Sequence, residues 1–387
     1  MMPDQILFST ANFPPLGGGI SHYLYEIVRC LPPDQVQVVG LPTPGWEVFD
    51  SQQRFSIRRL GVPARWSPSS PQFKFMPPFY FWRLARERQT RFIMCGQAHH
   101  SLLLPAWLLR QIKGTPYGVF TYGLDLLRPQ TRAHRGLFSA LLRAAQVVFA
   151  ISQGTANTAL GLGVKPERIR VIHPAVNPAL LTSKTPPETV RQRHGLQGKK
   201  CILTVGRLVE RKGFDTVIRA LPAILEVIPE AHYLIVGGGP AEAGLKALVA
   251  DLGLETYVTF AGPKSRDEVA DYYLTSDLFV MISREIPEKG DVEGFGIVYL
   301  EANLLGRPVV AGRSGGVADA VVHEETGLLV DPRDPAGVAA AVVRVLSDSD
   351  LAQRLGENGR SRVLSDFSGA AAAQKVLVAL SDSCLAR

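Results

Sequence analysis

Short β-rich runs alternate with longer helical runs along the 387-residue chain. "QILFSTA", "VQVVGLP", "RFIMCGQ", "YGVFTYG", "QVVFAIS" and "RIRVIHP" read as strands, and "SHYLYEIVRCL" after the first of them spaces its apolar residues as an amphipathic helix. A second series starts at "CILTVGR" and continues through "HYLIVGG", "YVTFAG", "LFVMIS", "PVVAGR" and "GLLVDP". Between these strands stand "DTVIRALPAILEVI", "GLKALVADLG", "RDEVADYYLTS", "IVYLEANLLG" and "PAGVAAAVVRVLSD", all helical in spacing. Strands separated by helices of roughly 10–15 residues argue for parallel sheets of βαβ units. Two such series predict two doubly wound α/β domains, one over 1–180 and one over 181–365, with the polar, Pro-rich "NPALLTSKTPPETVRQRHGLQGKK" around the break. A small apolar helix is expected over 366–387, packing back on the N-terminal domain.

Composition narrows the class without naming a function. With 46% hydrophobic residues the chain is globular, and no apolar run approaches the ~18 residues of a membrane-spanning helix. The N-terminal "MMPDQILFSTANFPP" carries an acid and no basic leader, so it reads as a first strand and not a signal peptide. Cys30, Cys95, Cys201 and Cys384 are scattered, which fits a reducing cytoplasm and no structural zinc.

Charge changes the picture more. Residues 1–190 hold 20 Lys/Arg against 9 Asp/Glu, whereas residues 191–387 hold 22 against 26. Within 51–150 the bias sharpens to 15 basic residues against 2 acids. Such a surplus implies an anionic partner for the first half. Nucleic acid is not expected, because no zinc finger or RNA-binding signature is present. An anionic membrane surface or a phosphate-bearing acceptor fits, and so does a merely solvated basic face. "RRLGVPARW", "FYFWRLARERQTRF" and "RAHRGLFSALLRA" interleave Arg with Phe, Trp and Leu, which suits peripheral contact with the inner face of the cytoplasmic membrane through 51–150.

Three loops carry candidate chemistry, and each follows a predicted strand. "NFPPLGGGISHYL" places Gly17, Gly18 and Gly19 ahead of a helix N-terminus, where backbone can approach an anion closely. A tight strand-to-helix turn explains the same residues, and the run is not the GxGxxG of dinucleotide binding. "TVGRLVERKGF" places Gly206 at a strand end, with Arg207 next and Lys212 five residues later. Two cations at a strand edge would clamp a diphosphate. A surface ion-pair cluster with Glu210 is the alternative, and Arg211 is expected to point to solvent.

The third loop is "GDVEGFGIVYLEANLLGRPVV". Glu301 interrupts an apolar run, and a buried carboxylate is costly unless it is paired. With a helix starting near Phe295 or Gly296, Glu293 lies in the loop ahead and Glu301 about a turn and a half inside. Amides around Gly294–Ile297 form an anion site between them. A phosphate flanked by hydroxyl groups on both sides would suit this arrangement, as in a nucleoside diphosphate sugar.

Taken together, "FPPLGGGISHYL", "GRLVERKG", "LIVGGGP", the E-x7-E of "EGFGIVYLE" and "GRSGGVADAVVHEETGLLV" resemble the retaining glycosyltransferases of family 4, which have the GT-B fold of two facing Rossmann-like domains. The phrase "GDVEGFGIVYLEA" resembles most the bacterial phosphatidylinositol mannoside mannosyltransferase branch. The resemblance implies that Arg207 and Lys212 bind the donor diphosphate, that Glu293 contacts hydroxyls of the transferred sugar and that Glu301 holds the ribose hydroxyls. It further implies that Gly296 and Ile297 give amides to the distal phosphate and that Gly18 and Gly19 close over it. Gly206 and Gly237 belong to the matching strand ends, and Gly262 and Lys264 to a segment lining the base. One departure stands out. Where the family often has a His-Gly pair, this chain has "FTYGLDLL", with Tyr122 before Gly123 and Asp125 two residues on.

The implied reaction is retaining transfer of a hexose from GDP-mannose or a UDP-sugar to a glycan or glycolipid hydroxyl. It uses no cofactor and no metal; the D-x-D at Asp348–Asp350 reads as a helix cap. Tyr122, with an ordinary pKa of about 10, is a poor base, which leaves Asp125 as the nearest carboxylate, with a helix cap as its simpler role. His99 and His100 sit at a further strand end, where a pocket-lining or surface role is expected. Two rivals share the architecture: a nucleotide-sugar isomerase, and a nucleotide-sugar-binding subunit without turnover.

Overall fold

The structure is a computed structural model and describes residues 5–63, 73, 75–87, 89–127 and 132–385. The chain divides into two compact units, Met1–Ala175 with Ser368–Arg387, and Val176–Phe367.

The first unit is built on strands β1 (Ile6–Ser9), β2 (Val36–Gly40), β3 (Ser56–Arg59), β4 (Phe92–Cys95), β5 (Tyr117–Thr121), β6 (Val147–Ala150) and β7 (Ile169–Val171). They form one parallel sheet in the order β3-β2-β1-β4-β5-β6-β7. All but the two outermost strands are fully buried, because helices cover both faces of a parallel sheet. The edge strand β3, "SIRR", was not foreseen. It pairs on one side only and alternates exposed and half-buried residues, so it lacks the apolar run that marks its neighbours.

The helix Gly369–Leu385 returns to this unit. It lays Ala372, Ala373, Val376 and Leu380 into the core shared with Tyr23, Leu24 and Ile27 of the helix Gly19–Val28. Gly369 permits the approach, since a Cβ there would stand 2.8 Å from the carbonyl oxygen of Glu26.

The second unit has strands β8 (Lys200–Val205), β9 (Ala231–Val236), β10 (Val258–Gly262), β11 (Leu278–Met281), β12 (Val309–Gly312) and β13 (Leu328–Val330). Their order is β10-β9-β8-β11-β12-β13, again parallel throughout. The predicted strands and helices of this half are all present. The helix Ser349–Asp366, capped by Asp348, is longer than "LSDSDLAQRL" suggested.

Candidate functional site

Each sheet reverses its strand order once, between β1 and β4 in the first unit and between β8 and β11 in the second. Ligands of open α/β sheets bind beyond the strand carboxyl ends at such a reversal.

In the second unit the loops leaving β8 and β11 meet at this point. After Val205 the chain passes Gly206 and the exposed Arg207 into a 3-10 turn, Glu210–Lys212, ended by Gly213 in the left-handed region. The turn sends Lys212 inward, where it is 9% exposed, and its Nζ donates to Oε2 of Glu293 at 2.6 Å. The same oxygen accepts from the Ser283 hydroxyl at 3.3 Å and lies 3.8 Å from Nε of Arg211. Burial alone would push the Glu293 carboxyl up, but Lys212 and Arg211, with hydrogen bonds from Lys212 and Ser283, hold it below the usual value. Arg211 is therefore not the solvent-facing cation expected. It is half-buried and also donates to Asp291 at 3.2 Å, while Glu210 pairs with Lys289 on the surface.

The helix Ile297–Leu304 starts beside this pair. Its cap, Gly296, has φ 88°, and a Cβ there would fall 2.3 Å from the Tyr299 ring, so both backbone and neighbour demand glycine. Tyr299 donates to the Met281 carbonyl at 2.9 Å and lies 3.2 Å from Ser283 Oγ, which fixes the serine beside Glu293. Amides at the start of this helix, Ile297 among them, lack intrahelical partners and favour an anion.

Glu301 projects from the second turn and is 6% exposed. Its Oε2 accepts from the Tyr273 hydroxyl at 3.0 Å, and its Oε1 lies 3.7 Å from Nη1 of Arg266. Burial raises the Glu301 carboxyl, and Arg266 and Tyr273 act against the rise. Both partners stand on the helix Arg266–Thr275, which follows Gly262 and Lys264 after β10. The Gly237 amide donates to the Gly262 carbonyl at 3.0 Å, joining the ends of β9 and β10. Gly237 also has φ 143°, and a Cβ there would stand 1.8 Å from the Gly206 carbonyl oxygen. This edge thus brings together Gly206, Arg207, Lys212, Glu293, Gly296, Ile297 and Glu301.

The first unit has its own edge. Asn12, after β1, donates to the Gln97 side chain, after β4, at 2.5 Å. Gly18 caps the helix Gly19–Val28 with φ 121°. A Cβ on Gly17 or Gly19 would meet nothing within 4 Å, so the fold itself asks for glycine only at Gly18.

Tyr122 and Asp125 follow β5 in this unit. The Tyr122 hydroxyl is buried and donates to the Gly96 carbonyl at 2.9 Å; burial, with Tyr23 and Asp125 nearby, raises its pKa well above the ordinary value. Asp125 accepts from the amides of Tyr122 at 2.8 Å and Ala98 at 3.2 Å. Both side chains tie the loops after β4 and β5 together. His99 caps the helix His100–Lys113 through Nδ1, and Asn177 caps a short turn at Pro178. Among the described residues there is no group of three or more His, Cys, Asp or Glu able to hold a metal ion.

Residues 17–180 match the family model described as Glycosyltransferase Family 4, and residues 187–362 match the one described as Glycosyl transferases group 1. A GDP-mannose-dependent alpha-(1-6)-phosphatidylinositol monomannoside mannosyltransferase of Mycobacterium tuberculosis is 31% identical over 383 residues, 94% of each chain. The chain is a family 4 glycosyltransferase. A monoacylated-acceptor relative of the transferase from Corynebacterium glutamicum is 27% identical over 367 residues, again 94% of each chain. Among solved structures, Anabaena HepE in complex with UDP superposes on the transferase with a TM-score of 0.80 at 21% identity, covering 98% of this chain and 100% of that one. Sucrose-phosphate synthase of Thermosynechococcus elongatus gives a TM-score of 0.77 at 25% identity, covering 99% and 100%. The fold of the transferase is GT-B. Sequence reasoning missed the supporting residues Ser283, Tyr299, Tyr273, Arg266 and Asp291. Only the burial of Tyr299 was hinted at, by its place within the apolar run "IVYLEANLLG".

Proposed function

We propose that the transferase moves a mannosyl group from GDP-mannose to a hydroxyl of a glycolipid acceptor with retention of anomeric configuration. The observation that carries this reading is the Lys212–Glu293–Glu301 edge at the β8/β11 reversal, on a chain whose relatives over 94% of its length are named as GDP-mannose-dependent phosphatidylinositol monomannoside mannosyltransferases. Lys212 has three N–H donors and gives one to Glu293, which leaves others for a diphosphate. Arg207 stands exposed at the same edge, and the amides at Ile297 add a helix N-terminus. Together these groups neutralise charge that grows on the leaving diphosphate, so the reading needs neither a metal nor a cofactor. Glu293, held ionised by its cations, accepts from sugar hydroxyls and orients C1. The C1–O bond to the β-phosphate breaks while the acceptor oxygen bonds to C1 from the same face, and the departing phosphate takes the acceptor proton. Gly262 and Lys264 line the base, and Gly18 and Gly19 contribute to donor binding.

The acceptor side rests on charge and on one helix. In Pro77–Ala85, Tyr80 and Leu84 are buried, while Phe79 and Trp82 are 43% and 58% exposed, with Phe75 just ahead. The Arg86 guanidinium lies 3.6 Å over the Trp82 ring. An aromatic stripe flanked by arginines, within a segment of 15 basic residues and 2 acids, suits an anionic bilayer surface. Of that segment, residues 64–72, 74, 88 and 128–131 lie outside the described residues. No single described helix is long and apolar enough to cross a membrane. The isomerase and binding-subunit readings have no observation in their favour. A donor screen tests the proposal: GDP-mannose with a phosphatidylinositol monomannoside should release GDP and give an α-mannoside by NMR. Turnover of UDP-sugars alone, or a β-linked product, would overturn it.

A further inference from the structure

The carboxylate assigned to the donor ribose is held from one side by a single helix. Tyr273 and Arg266 stand two turns apart on Arg266–Thr275 and address different oxygens of Glu301, Tyr273 at 3.0 Å and Arg266 at 3.7 Å. The tyrosine contact is a hydrogen bond; the arginine contact is beyond hydrogen-bond length and acts through charge. Each carboxylate oxygen has two acceptor positions, so one tyrosine bond leaves the carboxylate free to accept from two vicinal hydroxyls. Tyr273 is itself fully buried, with its ring 5.6 Å from Phe279, so it cannot turn away from Glu301 without repacking. Arg266 stays partly exposed, and its Nε is buried without a hydrogen-bond partner among the described residues. The same helix begins two residues after Lys264, so the segment assigned to the base and the support of the ribose carboxylate are continuous in the chain.

We propose that Tyr273 and Arg266 are positioning residues that fix Glu301 for the ribose 2′- and 3′-hydroxyls, so that the transferase selects ribonucleotide over deoxyribonucleotide donors. Tyr273 sets the plane of the carboxylate, and Arg266 supplies the countercharge that lets it stay ionised while buried. A site whose buried acceptor is left unmatched rejects the analogue that lacks the hydroxyl. This inference rests on the assignment of Glu301 to ribose made above.

Calorimetric titration with GDP and with 2′,3′-dideoxy-GDP separates the two layers. The wild-type protein should bind the dideoxy nucleotide at least tenfold more weakly, on the order expected for hydrogen bonds to a charged group. Tyr273→Phe, which keeps the ring, should weaken GDP roughly fivefold and leave dideoxy-GDP unchanged. Arg266→Gln should act in the same selective way, and Arg266→Lys should restore GDP binding. Equal weakening of both nucleotides in Tyr273→Phe or Arg266→Gln would overturn the positioning role and make the two residues structural. Equal binding of both nucleotides by the wild-type protein would instead overturn the ribose assignment of Glu301, and with it this inference.

Discussion

Lys212 and Glu293 lie 81 residues apart in the chain and 2.6 Å apart in the fold. The loops after β8 and β11 bring them together at the one place where the second sheet reverses its strand order. Their pair is buried, so each side chain is at once a structural partner and a candidate for the donor.

Those two parts separate in a double-mutant cycle. Lys212→Met leaves a buried carboxylate short of a cation and should cost about 3 kcal/mol in urea unfolding; Arg211 and Ser283 keep the figure at the low end of the range for a broken buried pair. Adding Glu293→Gln should recover most of that stability without recovering turnover. Additive losses would mean that the pair is not coupled.

The two glutamates should respond oppositely to pH. The Glu293 carboxyl is depressed in the folded protein, so its stabilisation is full above the ordinary glutamate pKa of about 4.3 and is lost as pH falls through the folded value. Glu293→Gln should therefore lower Tm at pH 7, with the difference shrinking in acid. The Glu301 carboxyl is raised, so its charged form costs stability above the folded value, and that cost disappears as pH falls towards 4.3, about the unfolded value. Glu301→Gln should raise Tm at pH 7, converge with wild type in acid, and weaken donor binding. Thermal melts from pH 8 down to about pH 3, below the ordinary glutamate pKa, check both signs; equal shifts of one sign would contradict the opposed environments.

Gly18 and Gly19 divide backbone need from ligand need. Gly18→Ala forces φ 121° on an alanine and should cost about 1–3 kcal/mol. Gly19→Ala meets open space, so Tm should hold or rise slightly, while the KM for donor rises several-fold. An unchanged KM would leave the glycine run as a turn and nothing more.

Flotation with anionic liposomes checks the aromatic face of Pro77–Ala85. Phe79→Ser with Trp82→Ser should release the protein at low salt without lowering Tm, because both side chains are exposed. Retention of the double variant would remove this face from the membrane.

Much of this was legible in the sequence, for physical reasons. Apolar runs mark the buried strands, and twelve of the thirteen strands among the described residues were predicted; β3 pairs along one side and writes "SIRR" instead. Lys212, Glu293 and Glu301 stood out as charges beside glycines or inside an apolar helix. Their partners did not, because pairing depends on which strands adjoin, and β8 neighbours β11 only in the folded order. Tyr273 and Arg266 lay in a helix read for its spacing, where a tyrosine hydroxyl aimed at a carboxylate leaves no mark. Tyr122 and Asp125 show the reverse. Their position invited a chemical role, and only the folded structure shows the bonds to Gly96, Ala98 and the Tyr122 amide that join two loops.

The most direct measurement is turnover by Glu293→Ala. With saturating GDP-mannose and a phosphatidylinositol monomannoside acceptor, wild type should release GDP steadily and the folded variant should fall by roughly a hundredfold or more, as when a transition-state contact is removed. A variant that is folded and fully active would contradict the donor site at its centre.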